Sequence, residues 1–483
     1  MHEWGIWHWL VVFQHELLLF AGVFFLIGAL DDLAIDLTWL WLKLTGRAKP
    51  LEVSRAELRD RELHAPAAIF IPAWQEAEVI SETISHMLKA WPHRAMRIYV
   101  GIYRNDMKTL EAAMRSAGGD PRLRLVIHDR DGPSTKADCL NRLYQAMCDD
   151  ERRAQTEFAC VVFHDAEDMV DPAGLSLLDT VIARGVDFAQ LPVEPLPQAA
   201  RHWLGGHYCE EFAEAHGKAM VVRDAIGAGL PAAGVGCAVA RKALKKLAQR
   251  PSTGGAGEQP FAPESLTEDY ELGLAIASGG GTCEFVRARG EDDLLVATRA
   301  FFPSRLGDIV RQKTRWVHGI ALQGWDRIGW SVGDGGSKLV EAWMRARDRR
   351  GPLTALVLAL GYTLLIVTLL IGFSTYFGLG EAAPLSPLVL TLLGLNLGFF
   401  VWRTAFRFAF TARNYGLAEG VFAVLRIPVT NVISIIAGRR AVAAYARTLL
   451  GEATTWDKTP HSRHPATPDF GQIPPRGTKG ARP

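Results

Sequence analysis

The sequence has almost no excess charge of either sign: 53 basic against 52 acidic side chains leave +1 over 483 residues. With no broad basic field to displace counterions, nucleic acid is excluded as a partner. Cysteine is scarce too. The six thiols (Cys139, Cys148, Cys160, Cys209, Cys237, Cys283) form no CxxC pair and lie in the polar middle of the chain. That argues against a zinc site or a disulfide framework and leaves each as a small buried hydrophobe. No internal repeat is present. The first apolar run has no basic residue before it and no small-residue cleavage site after it, so it reads as a retained anchor and not as a removed signal peptide.

What the chain does have is length for a catalytic domain plus membrane segments. Residues 9–30 form the first apolar run, with Gln14, His15 and Glu16 inside it. Lys43, Arg47 and Lys49 follow, which by the positive-inside bias places the next region in the cytoplasm. Residues 353–377 are almost unbroken apolar sequence behind Arg345, Arg347, Arg349 and Arg350, and residues 388–402 return toward Arg403, Arg407 and Arg413. The stretch 416–436 is interrupted by Glu419 and Arg426 and reads as an interfacial amphipathic helix, with a fourth span as the alternative. The expected organisation is a membrane anchor with an interfacial helix over 1–45 and a cytoplasmic domain over 60–330. Two spans plus an interfacial helix follow over 340–450, then a cytoplasmic tail over 451–483, in a multi-pass protein of a bacterial inner membrane. The Pro-, Thr-, Gly- and His-rich end predicts an ordered strap followed by a disordered tail.

Between the anchors, β-type runs at 67–72, 97–103, 123–128 and 158–163 alternate with helical patterns at 76–89, 108–116 and 135–148. Such alternation predicts an α/β fold with a mostly parallel sheet that binds its ligand at the carboxyl ends of the strands. Motifs fall at those ends. Ile71-Pro72-Ala73-Trp74-Gln75-Glu76 closes the first strand, where Pro72 stiffens the turn and Glu76 is placed for a base or ribose. Lys136 stands near a helix N-terminus, where a cation meets phosphate oxygens. The fourth strand runs into His164-Asp165-Ala166-Glu167-Asp168. Three carboxylates in four residues repel one another unless a cation lies among them, and hard oxygen ligands suit magnesium or manganese. Asp165, Glu167 and Asp168 are therefore the candidate metal ligands, against the plainer reading of a solvated acidic turn. His164 is expected to be structural.

Further on, Thr267-Glu268-Asp269 sets carboxylates at the start of a helix, where the macrodipole keeps a general base ionised. Helix capping alone also explains Thr267 and one acid. In Gln312-Lys313-Thr314-Arg315-Trp316 the arginine is placed to clamp a diphosphate and the indole to stack on a sugar.

This ordered set resembles family 2 glycosyltransferases of the GT-A fold, the membrane polysaccharide synthases in particular, over residues 65–320. Asp165-Ala166-Glu167 stands where the family has its DxD, Thr267-Glu268-Asp269 matches TED, and Gln312, Arg315 and Trp316 match QxxRW. The late phrase Trp456-Asp457-Lys458-Thr459-Pro460-His461 resembles one inner-membrane subgroup. The resemblance implies a Rossmann-like nucleotide-sugar domain with flanking transmembrane helices, a UDP-sugar donor and Mg2+ or Mn2+. It gives Asp106 the nucleobase, Lys136 the uridine or phosphates, Asp269 the role of base, and Pro72, Trp74, Glu76 and Asp165 the donor pocket. Glu268 joins Asp269, and Gln312, Arg315 and Trp316 line the acceptor and pyrophosphate side. Gly234-Val235-Gly236 with Arg241 looks like the acceptor loop. Two departures stand out: Asn105-Asp106 replaces a double aspartate, and Glu167 replaces the second aspartate with Asp168 beside it, so either pair is placed to hold the metal. The implied activity is an inverting transfer onto a growing polysaccharide or lipid acceptor. The expected partners are membrane lipid, a glycan acceptor, and a channel or outer-membrane protein or a second copy of the chain. The alternative is a catalytically silent receptor or scaffold of an export or phage-adsorption system.

Overall fold

The computed structural model describes residues 6–198, 200–250, 258–330, 337–379, 384–452, 458, 461 and 463–467. Trp456, Asp457, Thr459 and Pro460 of the late phrase, and the tail beyond 467, lie outside the described residues.

A seven-stranded sheet is built from β1 (Ala67–Ala73), β2 (Met96–Tyr103), β3 (Leu123–His128), β4 (Cys160–Phe163), β5 (Phe188–Gln190), β6 (Cys237–Ala240) and β7 (Cys283–Phe285). Its spatial order is β3-β2-β1-β4-β6-β5-β7. Only β6 runs antiparallel to its neighbours; Phe163 pairs with Cys237 across the β4–β6 edge, and Gln190 with the same Cys237 on the other side. β1 reads Ala-Ala-Ile-Phe-Ile-Pro-Ala and every residue is buried, the pattern of a central strand covered on both faces. The expected α/β architecture is therefore present, and the four strands read from the sequence open the sheet. Helices Ile80–Ala90, Met107–Ala117 and Lys136–Ala154 cover it. Thr135 caps the last of these by accepting from Asp138 N, which fixes Lys136 at the first helical position.

Four helices among the described residues are long and apolar enough to cross a membrane: Ile6–Leu44, Gly351–Tyr376, Pro387–Tyr415 and Ile427–Leu449. The first does not end at residue 30 and restart as a separate interfacial helix; it continues unbroken for 39 residues. Its acids are paired, so polarity does not stop it: Asp32 Oδ1 accepts from Arg350 Nη2 at 2.8 Å, and Asp36 Oδ1 takes Lys218 Nζ at 2.5 Å. Polar groups inside the apolar runs tie helix to helix, as Gln14 Nε2 donates to Thr368 Oγ1 at 2.8 Å and Asn396 Nδ2 to the Gly22 carbonyl at 2.9 Å.

The single amphipathic helix expected over 416–436 is divided at Arg426 into Leu417–Leu425 and Ile427–Leu449. Pro428 opens the second helix, where its missing N–H leaves no bond unmade. Both ends of that second helix reach the α/β domain. Arg426 is buried against Glu210, and the Tyr445 hydroxyl donates to Asp326 Oδ2 at 2.6 Å.

Candidate functional site

One cavity of about 140 Å3 gathers Pro72, Glu76, Lys136, Asp165, Glu167, Asp168, Glu268, Asp269, Gln312, Arg315 and Trp316. Of the sequence-derived candidates, Trp74 and Asp106 lie outside it, as do Gly234, Gly236 and Arg241 of the acceptor loop. Trp74 packs edge-on against Tyr103 at 5.2 Å in a small apolar cluster beside the cavity. The Asp106 carboxylate holds local backbone: it caps the following helix by accepting from Thr109 N at 3.3 Å and accepts from Gln75 N at 2.5 Å. That pairing fixes the turn after β1.

The acidic turn leaves β4 with its three carboxylates in different environments. Asp168 is 1% exposed; its Oδ2 accepts from Asp165 N at 3.0 Å and faces His164 Nδ1 at 2.8 Å. It braces the turn, as does His164, which the sequence had marked as structural. Asp165 turns to Lys136, whose Nζ is 2.5 Å from Oδ1. Burial alone would lower the Lys136 ammonium, but Asp165, Glu268 and Asp269 raise it well above the lysine range. Glu167 points to a residue the sequence reading gave no role. His461 Nε2 lies 3.1 Å from Glu167 Oε1, and its Nδ1 lies 3.1 Å from Glu76 Oε1. Lys458 Nζ reaches Glu76 Oε1 at 3.0 Å, and His464 Nε2 donates to the Asp168 carbonyl at 3.1 Å. Lys458, His461 and His464 of the strap thus lie against Glu76 and the acidic turn. Burial pushes Glu167 up to about 8, with His461 pulling down and Asp165 and Glu76 pushing up.

Opposite stands the helix Glu268–Ser278. Thr267 is its N-cap residue but makes no side-chain capping bond, and its hydroxyl is buried without a partner, so capping is not what holds the motif in place. Gln323 does that: its Oε1 accepts from Leu266 N and its Nε2 donates to the Glu264 carbonyl, both at 3.0 Å. Gln323 ends a π-helical turn, His318–Gln323, continuing the helix Leu306–Val317 that carries Gln312, Arg315 and Trp316. A wider turn of this kind re-aims a helix next to a site. Gln312 Oε1 is buried and has no partner in the protein, a polar atom turned toward a ligand space. Trp316 packs edge-on to Tyr208 at 5.9 Å with Lys313 Nζ 5.0 Å from its ring centre.

Burial raises Asp269 above the aspartate range, with Lys136 opposing, and pushes Glu268 up to about 7, again with Lys136 opposing. Gly234 has φ +81°, and a Cβ there would stand 2.5 Å from Asp269 Oδ2, so only glycine allows this loop to lie against the carboxylate. Arg241 takes no part. It is buried in an ion pair with Glu151, Nη2 to Oε2 at 2.8 Å, and braces the far side of the sheet.

A family model described as "Glycosyltransferase like family 2" matches residues 64–319, more than half of the chain. The chain belongs to this family. The seven-stranded sheet and the acidic turn beyond β4 are its GT-A fold. Among curated proteins, this family 2 chain is 32% identical to "Bacteriophage adsorption protein B" of Escherichia coli (strain K12) and equally to "Bacteriophage N4 adsorption protein B" of Escherichia coli O157:H7. Each match covers 94% of this chain and 63% of the relative, so the chain spans under two thirds of their length. Among solved structures, the mannosyltransferase PcManGT from Pyrobaculum calidifontis, in complex with GDP-Man and Mn2+, matches with TM-score 0.49 and 15% identity over 86% of this chain and 98% of that one. A Mycobacterium tuberculosis glucosyl-3-phosphoglycerate synthase with Mn2+, UDP and phosphoglyceric acid matches with TM-score 0.35 and 18% identity over 59% and 88%.

Proposed function

We propose that this family 2 protein is a metal-dependent, inverting glycosyltransferase that moves a sugar from a UDP-sugar onto a polysaccharide or lipid acceptor. The observation that carries the reading is the meeting, in one cavity, of the acidic turn, Lys136, the Glu268-Asp269 pair and the Gln312/Arg315/Trp316 face.

The donor set fits a divalent cation. Glu76, Glu167 and His461 each bring a ligand atom within 4.8 Å of the others, and the Asp165 carboxylate lines the same cavity. Asp168, held by His164, is left out of the set. Carboxylates with an imidazole suit Mn2+ better than Mg2+. Bound there, the cation offsets charge on the leaving diphosphate.

The chain's own residues do the rest. Lys136 and Arg315 hold the diphosphate. Pro72 and Glu76 wall the nucleoside side, and Trp316 offers its ring to the sugar. Asp269 takes the proton of the acceptor hydroxyl; that oxygen bonds to the anomeric carbon as its bond to the diphosphate breaks, and one displacement inverts the carbon.

The arginines before Gly351 and after residue 402 favour a domain on the cytoplasmic face of an inner membrane. Few helices surround any path for a product, so export of a polymer calls for a second copy or a partner channel protein. The test is to incubate the purified chain with nucleotide sugars and Mn2+ and measure released nucleoside diphosphate. Release that depends on Asp269 supports the reading; a silent scaffold releases none with any donor.

A further inference from the structure

A second cavity, of about 290 Å3, lies behind the first and shares Val193 and Phe212 with it as walls. It opens between the carboxyl ends of the helices Ile6–Leu44 and Pro387–Tyr415 and the strand end at Arg287 and Arg289. Its charges are one-sided. Lys43, Lys49, Arg287, Arg289 and Arg413 line it, and Glu194 is the one acid among the lining residues. Glu194 is already held by Arg299 Nη2 at 2.8 Å. His216 is no counterion: burial and Arg287 push it down to about 4, and its Nδ1 accepts from Val193 N at 2.8 Å.

Two of the guanidiniums keep donors in reserve. The Nε atoms of Arg287 and Arg289 are both buried without a hydrogen-bond partner, while Arg287 Nη1 meets only the Ala48 carbonyl at 3.2 Å. Arg289 also pairs with Asp293, whose side chain is 86% exposed. Burial, then repulsion from Arg289 and Arg413, pushes Arg287 down to about 10. A part-buried guanidinium Nε without a partner is costly unless an acceptor joins it, and the planar guanidiniums of Arg287 and Arg289 match phosphate oxygens pairwise.

We propose that this cavity binds a phosphate group, held by Arg287 and Arg289 with Lys43, Lys49 and Arg413 at its rim. A lipid headgroup and a soluble molecule both carry that group, and the two sources are separated by the lipid composition in the test below. The site stands apart from the catalytic cavity, so the proposal holds whether or not the transferase reading does.

Phosphate and pyrophosphate are titrated into the full chain in detergent by calorimetry, for wild type, Arg287→Gln, Arg287→Lys and the exposed-rim variant Lys43→Gln. Expected are saturable binding to wild type, a loss of about tenfold or more in Arg287→Gln, partial retention in Arg287→Lys and a smaller loss in Lys43→Gln. UDP binding in Mn2+ should stay unchanged in all four. Should Arg287→Gln not fold, Lys43→Gln carries the test alone. The proposal is overturned if the variants bind phosphate as wild type does, or if UDP with Mn2+ displaces the phosphate, which would place it in the catalytic cavity. Loss of phosphate binding on transfer from neutral-lipid to phosphatidylglycerol nanodiscs assigns the site to a lipid headgroup, and binding retained there assigns it to a soluble phosphate.

Discussion

Lys136 Nζ stands 2.5 Å from Asp165 Oδ1, a bond between the first residue of one helix and the second residue after β4. Lys136→Met should weaken UDP binding in Mn2+ at least about tenfold, because the variant loses the cation aimed at the diphosphate. It also leaves Asp165, Glu268 and Asp269 facing one another. Calorimetry with UDP checks this, and unchanged affinity refutes the placement of Lys136.

Asp269→Asn should bind donor as wild type does and lose turnover by roughly a hundredfold or more, since a base acts on the acceptor in the transition state. A variant that keeps a tenth of the wild-type rate would show that Asp269 is not the base.

The same carboxylate sets the acid side of the pH profile. A base works only when deprotonated, and burial holds Asp269 above its ordinary value of 3.8. The rate should therefore fall on acidification at a higher pH than a solvent-exposed aspartate would dictate, and Asp269→Glu should shift that limb. A rate independent of pH down to the ordinary aspartate range contradicts the assignment.

His461→Ala should weaken Mn2+ binding by about tenfold or more, read by electron paramagnetic resonance without any donor, and should narrow the preference for Mn2+ over Mg2+. Glu167→Gln serves as the parallel variant. Loss with Glu167→Gln but not with His461→Ala would leave the strap as a cover and not a ligand.

Glu210 is 1% exposed and accepts from Arg426 Nε on one oxygen and Arg407 Nη2 on the other. Glu210→Gln removes the charge both buried guanidiniums need and should destabilise the protein by about 3 kcal/mol. The melting temperature in detergent should fall accordingly. An unchanged melt would mean that Glu419, which also bonds Arg426, suffices.

The sequence alone determined the order of strands β1 to β4, the membrane runs and most of the cavity, because these rest on local signals. An apolar run flanked by turn residues makes a buried strand, and motifs at strand ends in a parallel sheet converge on one edge. Local signals did not reach the contacts: that Asp106 accepts from Gln75 N, and Asp168 from Asp165 N beside His164, follows from the fold and not from the motifs. The apolar run stopped at residue 30 in the sequence because Asp31, Asp32 and Asp36 follow, whereas the helix continues because Arg347, Arg350 and Lys218 neutralise them. Only the tertiary structure brought His461 to Glu76, across 385 residues of chain. No periodicity or spacing encodes such a contact, since it is fixed by where the last long helix packs and not by any residue near either partner.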